Sequence, residues 1–162
     1  MIDVYDSETL IKIYKLIGKK CDAIDKFITN HALYFGPCTA EYGALDVCNN
    51  IIELMTRKNQ LINLKIILDN ALKTLNEKDK KILLIKMNYN IQISEICGIL
   101  ELKERTAFRH IEKAFENLAD ALNKSKYARK LERIIDSEDW IRDIKEDVKD
   151  RRMAFKSKVV DC

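Results

Sequence analysis

LNEKDKKILLIKMNYNIQISEICGILELKERTAFRHIEKAFENLADAL, residues 75–122, holds the pattern on which the fold turns. Its last part is the clearest. Ala107, Ile111, Ala114, Leu118 and Leu122 recur at steps of four, three, four and four, which lays them on one face of a helix from about Glu104 to Leu122. Glu101-Leu102-Lys103 is a tight connection ahead of it. Upstream, Ile93, Ile96, Ile99 and Leu100 give a short helix its inward side. Before that, Asn76 is placed to cap a helix whose first turn holds Glu77 and Asp79, acids that suit the positive end of a helix. Ile82, Leu83, Ile85 and Met87 supply the apolar side of this helix, and Asn88-Tyr89-Asn90 reads as the turn that ends it. Three helices of these lengths, with a three-residue connection before the last, match helix-turn-helix architecture. In that architecture the last helix enters the major groove and its N-terminal half meets base edges.

The face opposite the apolar stripe presents Arg105, Thr106, Phe108, Arg109, Glu112 and Lys113. An arginine can bond two acceptors of guanine at once, and Lys103 and Lys113 suit phosphates. Residues 103–113 carry 4 basic and 2 acidic side chains, so the local balance favours an anionic partner. The spacing of residues 75–122 resembles region four of bacterial RNA polymerase sigma factors. Leu75 and Glu77 match its start, Glu95-Ile96 its second helix, and Thr106 with Ala114 and Leu118 its third. The run Arg105-Thr106-Ala107-Phe108-Arg109-His110 is similar to phage regulators of the ArpU type. The resemblance implies double-stranded DNA as partner, with Thr106, Phe108, Arg109, His110 and Lys113 where the family contacts it. His110 has a second reading, as a histidine at the edge of the core. The chain departs from the family pattern at Asn76 (usually proline), Cys97 (alanine), Glu101 (glycine) and Lys103 (a capping serine or threonine). A left-handed residue at Glu101 costs about 1 kcal/mol without glycine.

Working toward the N-terminus, few glycines and a single proline favour long helices. Ser7 is the expected cap of a helix whose face is Leu10, Ile13, Ile17, Cys21, Ile24 and Ile28, fading near Asn30 and broken by Phe35-Gly36-Pro37. A second helix is expected to start at Thr39, with Glu41 and Tyr42 behind it. Its apolar stripe is read as Leu45, Cys48, Ile52, Met55, Ile62 and Ile66, and Arg57-Lys58-Asn59-Gln60 as a place where it bends or splits. Together residues 1–72 read as a helical hairpin whose apolar faces form either an intramolecular core or a homodimer interface.

Toward the C-terminus, residues 124–162 read as a basic linker and an amphipathic helix. Lys124, Lys126, Arg129, Lys130 and Arg133 either extend the recognition helix along the phosphate backbone or form a solvated basic face. Asp136-Ser137 reads as a helix start, followed by the stripe Trp140, Ile141, Ile144 and Val148, with Phe155 extending it. That stripe packs on the hairpin or binds a partner. Arg151, Arg152, Lys156 and Lys158 read as a frayed, charged end.

The expected fold is therefore all-α: residues 1–72 a hairpin, 73–123 a helix-turn-helix domain, 124–162 the linker and last helix. No apolar run is long enough for a membrane span and the N-terminal MIDVYDSETL lacks the basic and apolar segments of a signal peptide, so a cytoplasmic place is expected. Five cysteines without paired spacing argue against disulfides or a zinc site, and Cys21, Cys48 and Cys97 are expected as small core residues. There is no P-loop, Gly-rich nucleotide loop or GxSxG, so neither catalysis nor a cofactor is expected. The reading is a sequence-specific transcriptional regulator of phage or mobile-element type, with RNA polymerase as a further partner. Against it stand a degenerate helix-turn-helix that docks on polymerase or another regulator, and a small-terminase-like DNA packaging protein. The 8 basic and 8 acidic residues of 74–123 favour the former of these two.

Overall fold

A computed structural model describes residues 1–34, 43–88 and 93–160, without the side chains of residues 34, 44, 88, 93, 94 and 155–160. The described residues are all-α: α1 (Val4–Tyr34), α2 (Ala44–Thr74), α3 (Glu77–Asn88), α4 (Ile93–Leu100), α5 (Glu104–Lys124), α6 (Ala128–Ser137) and α7 (Asp139–Val160). The expected break at Phe35-Gly36-Pro37 and the helix start at Thr39, Glu41 and Tyr42 lie outside the described residues, as do Tyr89 and Asn90.

α1 and α5 organise the packing. α1 lies against α2, α3, α5 and α7, and α5 lies against α2, α3, α4 and α6 as well. One apolar cluster runs through them from Ile2 to Ile141, and all of α1 to α7 contribute to it except the far end of α7. In α1 the expected face holds: Leu10, Ile13, Ile17, Cys21 and Ile24 are buried and Ile28 packs at the edge. Its cap does not. Asp3, not Ser7, closes the helix, because Asp6 N donates to Asp3 Oδ1 at 2.7 Å and Asp3 N donates to Asp6 Oδ2 at 3.1 Å, a reciprocal capping pair. Ser7 sits one turn in, fully buried, and its hydroxyl donates to the carbonyls of Val4 and Phe115, tying α1 to α5. The helix also continues past Asn30 to Tyr34.

α2 differs from expectation in its facing. Leu45, Ile52, Met55, Ile62 and Ile66 are exposed, as is Cys48. The buried side is Leu61, Leu64, Ile67, Leu68, Ala71 and Leu72, with Leu54 packed at the edge. Nor does the helix split at Arg57-Lys58-Asn59-Gln60; it is continuous. Arg57 is spent on a fork: its Nε and Nη2 each donate at 2.7 Å to the carboxylate of Glu138, a residue only 3% exposed. The Trp140 indole donates to the same carboxylate at 2.7 Å. These bonds explain the C-terminal boundary as well. Asp136 and Ser137 end α6 instead of starting a helix, and Glu138 stands between α6 and α7, held by α2.

α7 packs on α1 with Ile141 and Val148 buried and Trp140 and Ile144 half-buried, so its stripe is a core face. Its end is not frayed at Arg152. That guanidinium donates through Nε to Glu8 at 2.5 Å and through Nη1 to both oxygens of Glu112 at 2.8 Å, and lies over the rings of Tyr5 and Phe115. Burial works against its charge, but the bonds and charges of Glu8 and Glu112 outweigh burial and raise its pKa above the ordinary value. The side chains of Phe155, Lys156 and Lys158 lie outside the description.

Candidate nucleic-acid interface

The site is built on the turn between α4 and α5. The α4 end closes with two bonds: Leu102 N donates to Cys97 O at 3.1 Å, and Glu101 N donates to Gly98 O at 3.4 Å. This is the double bond pattern of a left-handed helix stop, and Glu101 takes the left-handed backbone it requires, at φ 53°. The residue whose side chain makes that conformation costly thus adopts it, and the tight connection is geometrically a reversal into α5. Lys103 begins α5 with extended backbone and makes no side-chain cap. Its carbonyl accepts from Thr106 N and Ala107 N, both at 2.9 Å.

α5 sets out its side chains as its spacing predicts. Ala107, Ile111, Ala114, Leu118 and Leu122 are all buried, joined by Phe115 and Ala119. The helix is fixed to α3 by polar contacts too. Asn76 caps α3 as expected: Asp79 N donates to Asn76 Oδ1 at 2.8 Å. The buried Asp79 carboxylate then accepts from Asn76 Nδ2 at 2.7 Å and from Asn117 Nδ2 of α5 at 2.6 Å. Ile82 and Leu83 of α3 and Ile96 of α4 are fully buried. Ile99, expected to face inward, is 48% exposed, because Leu100 takes the inward place beside it.

The candidate contact residues divide into four groups. Lys103, Arg105, Thr106 and Arg109 are exposed at the N-terminal end of α5. Phe108 and His110 are half-buried, and His110 Nε2 lies 3.0 Å from Lys78 Nζ of α3, so this ring turns toward its neighbour helix. Lys113 is exposed and bonded to Glu116 at 3.1 Å. The fourth group stands apart. α5 ends at Lys124, Ser125 to Tyr127 form a turn, and Arg129 and Lys130 belong to α6. The basic tail does not prolong the α5 helix, and along that helix Arg105 and Lys124 are separated by about 28 Å. Lys124, Lys126, Arg129 and Lys130 are all exposed, with Lys126 over the Tyr127 ring.

Two features of this region were not legible in the sequence. Asn117 has no neighbour in sequence that marks it as the partner of Asp79, and Glu112, expected on the contact face, is held by Arg152 from 40 residues away. Among the described residues, no three His, Cys, Asp or Glu side chains gather to hold a metal ion, and no helix is long and apolar enough to cross a membrane. Compared with protein-family models, curated proteins and solved structures, the chain gives no match in any of the three.

Proposed function

We propose that the chain is a sequence-specific DNA-binding regulator, in which α3, α4 and α5 act as a helix-turn-helix and α5 is the recognition helix. The observation that carries the reading is the exposure of Arg105, Thr106 and Arg109 in the first turns of α5, while Ala107 and Ile111 beside them are buried and α5 packs on both α3 and α4. A rigidly seated helix that holds two arginines toward solvent has what bidentate readout of guanine requires. The first backbone N–H groups of α5 add a positive helix end suited to a phosphate. Lys103 and Lys113 then position the duplex, and the basic group from Lys124 to Lys130 reaches phosphates farther along it. The function is binding, not catalysis, in the cytoplasm, with RNA polymerase as a second partner and the regulators of phages and mobile elements as the resembling class.

The test is selection of bound sequences from a random duplex pool, followed by fluorescence anisotropy at two salt concentrations. Arg109→Ala costs about 1–3 kcal/mol at one base position and relaxes the preference there. Lys126→Ala weakens all sequences alike and flattens the salt slope. No binding even at low salt refutes the reading. It would favour instead a protein-docking module, to which the balanced charge of residues 74–123 is suited.

A further inference from the structure

α2 carries a second apolar stripe that no other described helix covers. Leu45, Cys48, Ile52, Met55, Asn59, Ile62 and Ile66 follow one another at alternating steps of three and four, and all seven are exposed. That is the strict seven-residue repeat of a coiled-coil seam, with Leu45, Ile52, Asn59 and Ile66 at its a positions and Cys48, Met55 and Ile62 at its d positions. The helix has not been turned the wrong way, since Leu61, Leu64, Leu68 and Ala71 on its other side are in the core. We propose that this seam is the interface of a homodimer, in which α2 of two copies of the chain pair in parallel and in register.

The seam's own chemistry selects a second copy as the occupant. Asn59 is the one polar residue in the middle of the stripe, and an apolar partner helix would bury its amide without a bond. A second Asn59 opposite it supplies both a donor and an acceptor, and a single asparagine at an a position is a known means of fixing a parallel pair in register. Isoleucine at the a positions on either side of it, Ile52 and Ile66, is compatible with two parallel strands, and the Asn59 pair selects two against the higher states that isoleucine at a d position, Ile62, also allows. The charges are compatible with self-pairing. One flank of the seam is Asn49, Thr56, Asn63 and Asn70, all uncharged. The other flank holds Lys58 and Lys65, which α1 already engages through Asp25 and the Tyr14 ring. In-register pairing sets those lysines against Asn63 and Asn70 of the second copy, and the seam ends at Ile66, because the next d position is Asp69, whose carboxylate is engaged by the Tyr14 hydroxyl of α1. The area is adequate too. Leu45, Ile52, Met55, Ile62 and Ile66 are between 39 and 73% exposed. Their free surface amounts to roughly 1,000 Å² for the pair before the flanks are counted, close to the about 1,200–2,000 Å² of specific interfaces.

The proposal does not depend on DNA binding. Sedimentation equilibrium of the full chain at about 100 µM is expected to give twice the 18.9 kDa chain mass. Ile52→Asp, a change at an exposed position, is expected to weaken association about 100-fold with an unaltered far-UV circular dichroism spectrum. A monomeric wild type, or a dimer indifferent to Ile52→Asp, overturns the proposal. Cys48 reports the direction of pairing, because parallel, in-register strands put it opposite its own copy, whereas antiparallel strands that overlap along the whole seam carry the two copies of Cys48 toward opposite ends. Air oxidation with copper phenanthroline, followed by mass spectrometry, is expected to yield a Cys48–Cys48 peptide that Cys48→Ser removes. A dimer without that peptide overturns the parallel pairing.

Discussion

α5 and α2 are both long amphipathic helices, yet their sequences constrain the fold to different degrees. α5 has one apolar stripe, and every member of it is buried. α2 has two, each stepping by three, four or their sum of seven: Leu54, Leu61, Leu64, Leu68 and Ala71 on one side, and Leu45, Cys48, Ile52, Met55, Ile62 and Ile66 on the other. Periodicity says that a helix exists and that a stripe is covered, but not by what. With one stripe the core must be the cover. With two, one is inside the chain and the other is left for something else. The comparison breaks most sharply on paired truncations in α2. Leu64→Ala, at a fully buried position, is expected to cost about 2–5 kcal/mol in urea denaturation. Ile52→Ala, measured in dilute chain where association is absent, is expected to stay within about 0.5 kcal/mol. Equal losses from the two would mean that the outer stripe is core after all.

The same contrast explains what could be read in advance. α5, its buried face, the Asn76 cap of α3 and the turn at Glu101 are local features, written in residues no more than four or five apart, so spacing and capping chemistry reach them. The α1 face was legible for the same reason. The misread elements are held by partners distant in sequence. Arg57 looked like a break in α2 because Glu138 lies 81 residues away. Arg151-Arg152 looked like a charged end because Glu8 and Glu112, 144 and 40 residues away, were not visible as partners. Ser7 looked like a cap because the Phe115 carbonyl, which its hydroxyl meets along with that of Val4, is on another helix, which left Asp3 unnoticed. As for the candidate interface, the sequence located the exposed arginines, but it could not separate the α5 cations from those of α6, since a run of basic residues does not show where one helix stops.

Long-range polar contacts also distinguish how firmly the two helices are seated. α5 is gripped from α7 through Arg152 and from α3 through Asp79. Arg152→Ala removes a guanidinium that is mostly buried and leaves Glu8 and Glu112 facing each other's charge without it, so a loss of about 1–3 kcal/mol is expected by thermal or urea unfolding. Arg152→Lys is expected to recover only part of that, because a lysine cannot fork between two carboxylates. Full recovery would show that charge alone matters at this point, not the fork. Asp79→Ala takes the acceptor from both Asn76 and Asn117 and is expected to cost about 1–2 kcal/mol. If Asn117→Ala leaves stability unchanged, the bond to α5 adds nothing beyond the cap.

α2 has its own grip on α1, and it is sensitive to pH. The Tyr14 hydroxyl donates to Asp69 Oδ1 at 2.7 Å. That bond, with burial and the Asp69 charge adding to it, raises the Tyr14 pKa from the ordinary 10.0 to about 12. The sign of the consequence follows from which state holds the proton. Below pH 10 tyrosine is protonated in the folded and unfolded chains alike, and the contribution of the bond is whole. Between pH 10 and about 12 the unfolded chain releases the proton while the folded chain retains it, so the contribution falls as pH rises through that window. The effect is the smallest of those expected, because the pair is partly exposed and solvent screens it. It is best seen as a difference: from pH 9 to 11.5 the wild type is expected to lose more stability than Tyr14→Phe, which cannot donate at any pH. Parallel loss in the two proteins would place the alkaline sensitivity elsewhere. A steeper loss in wild type would show that α2 is held to α1 by this bond at the end of the outer seam.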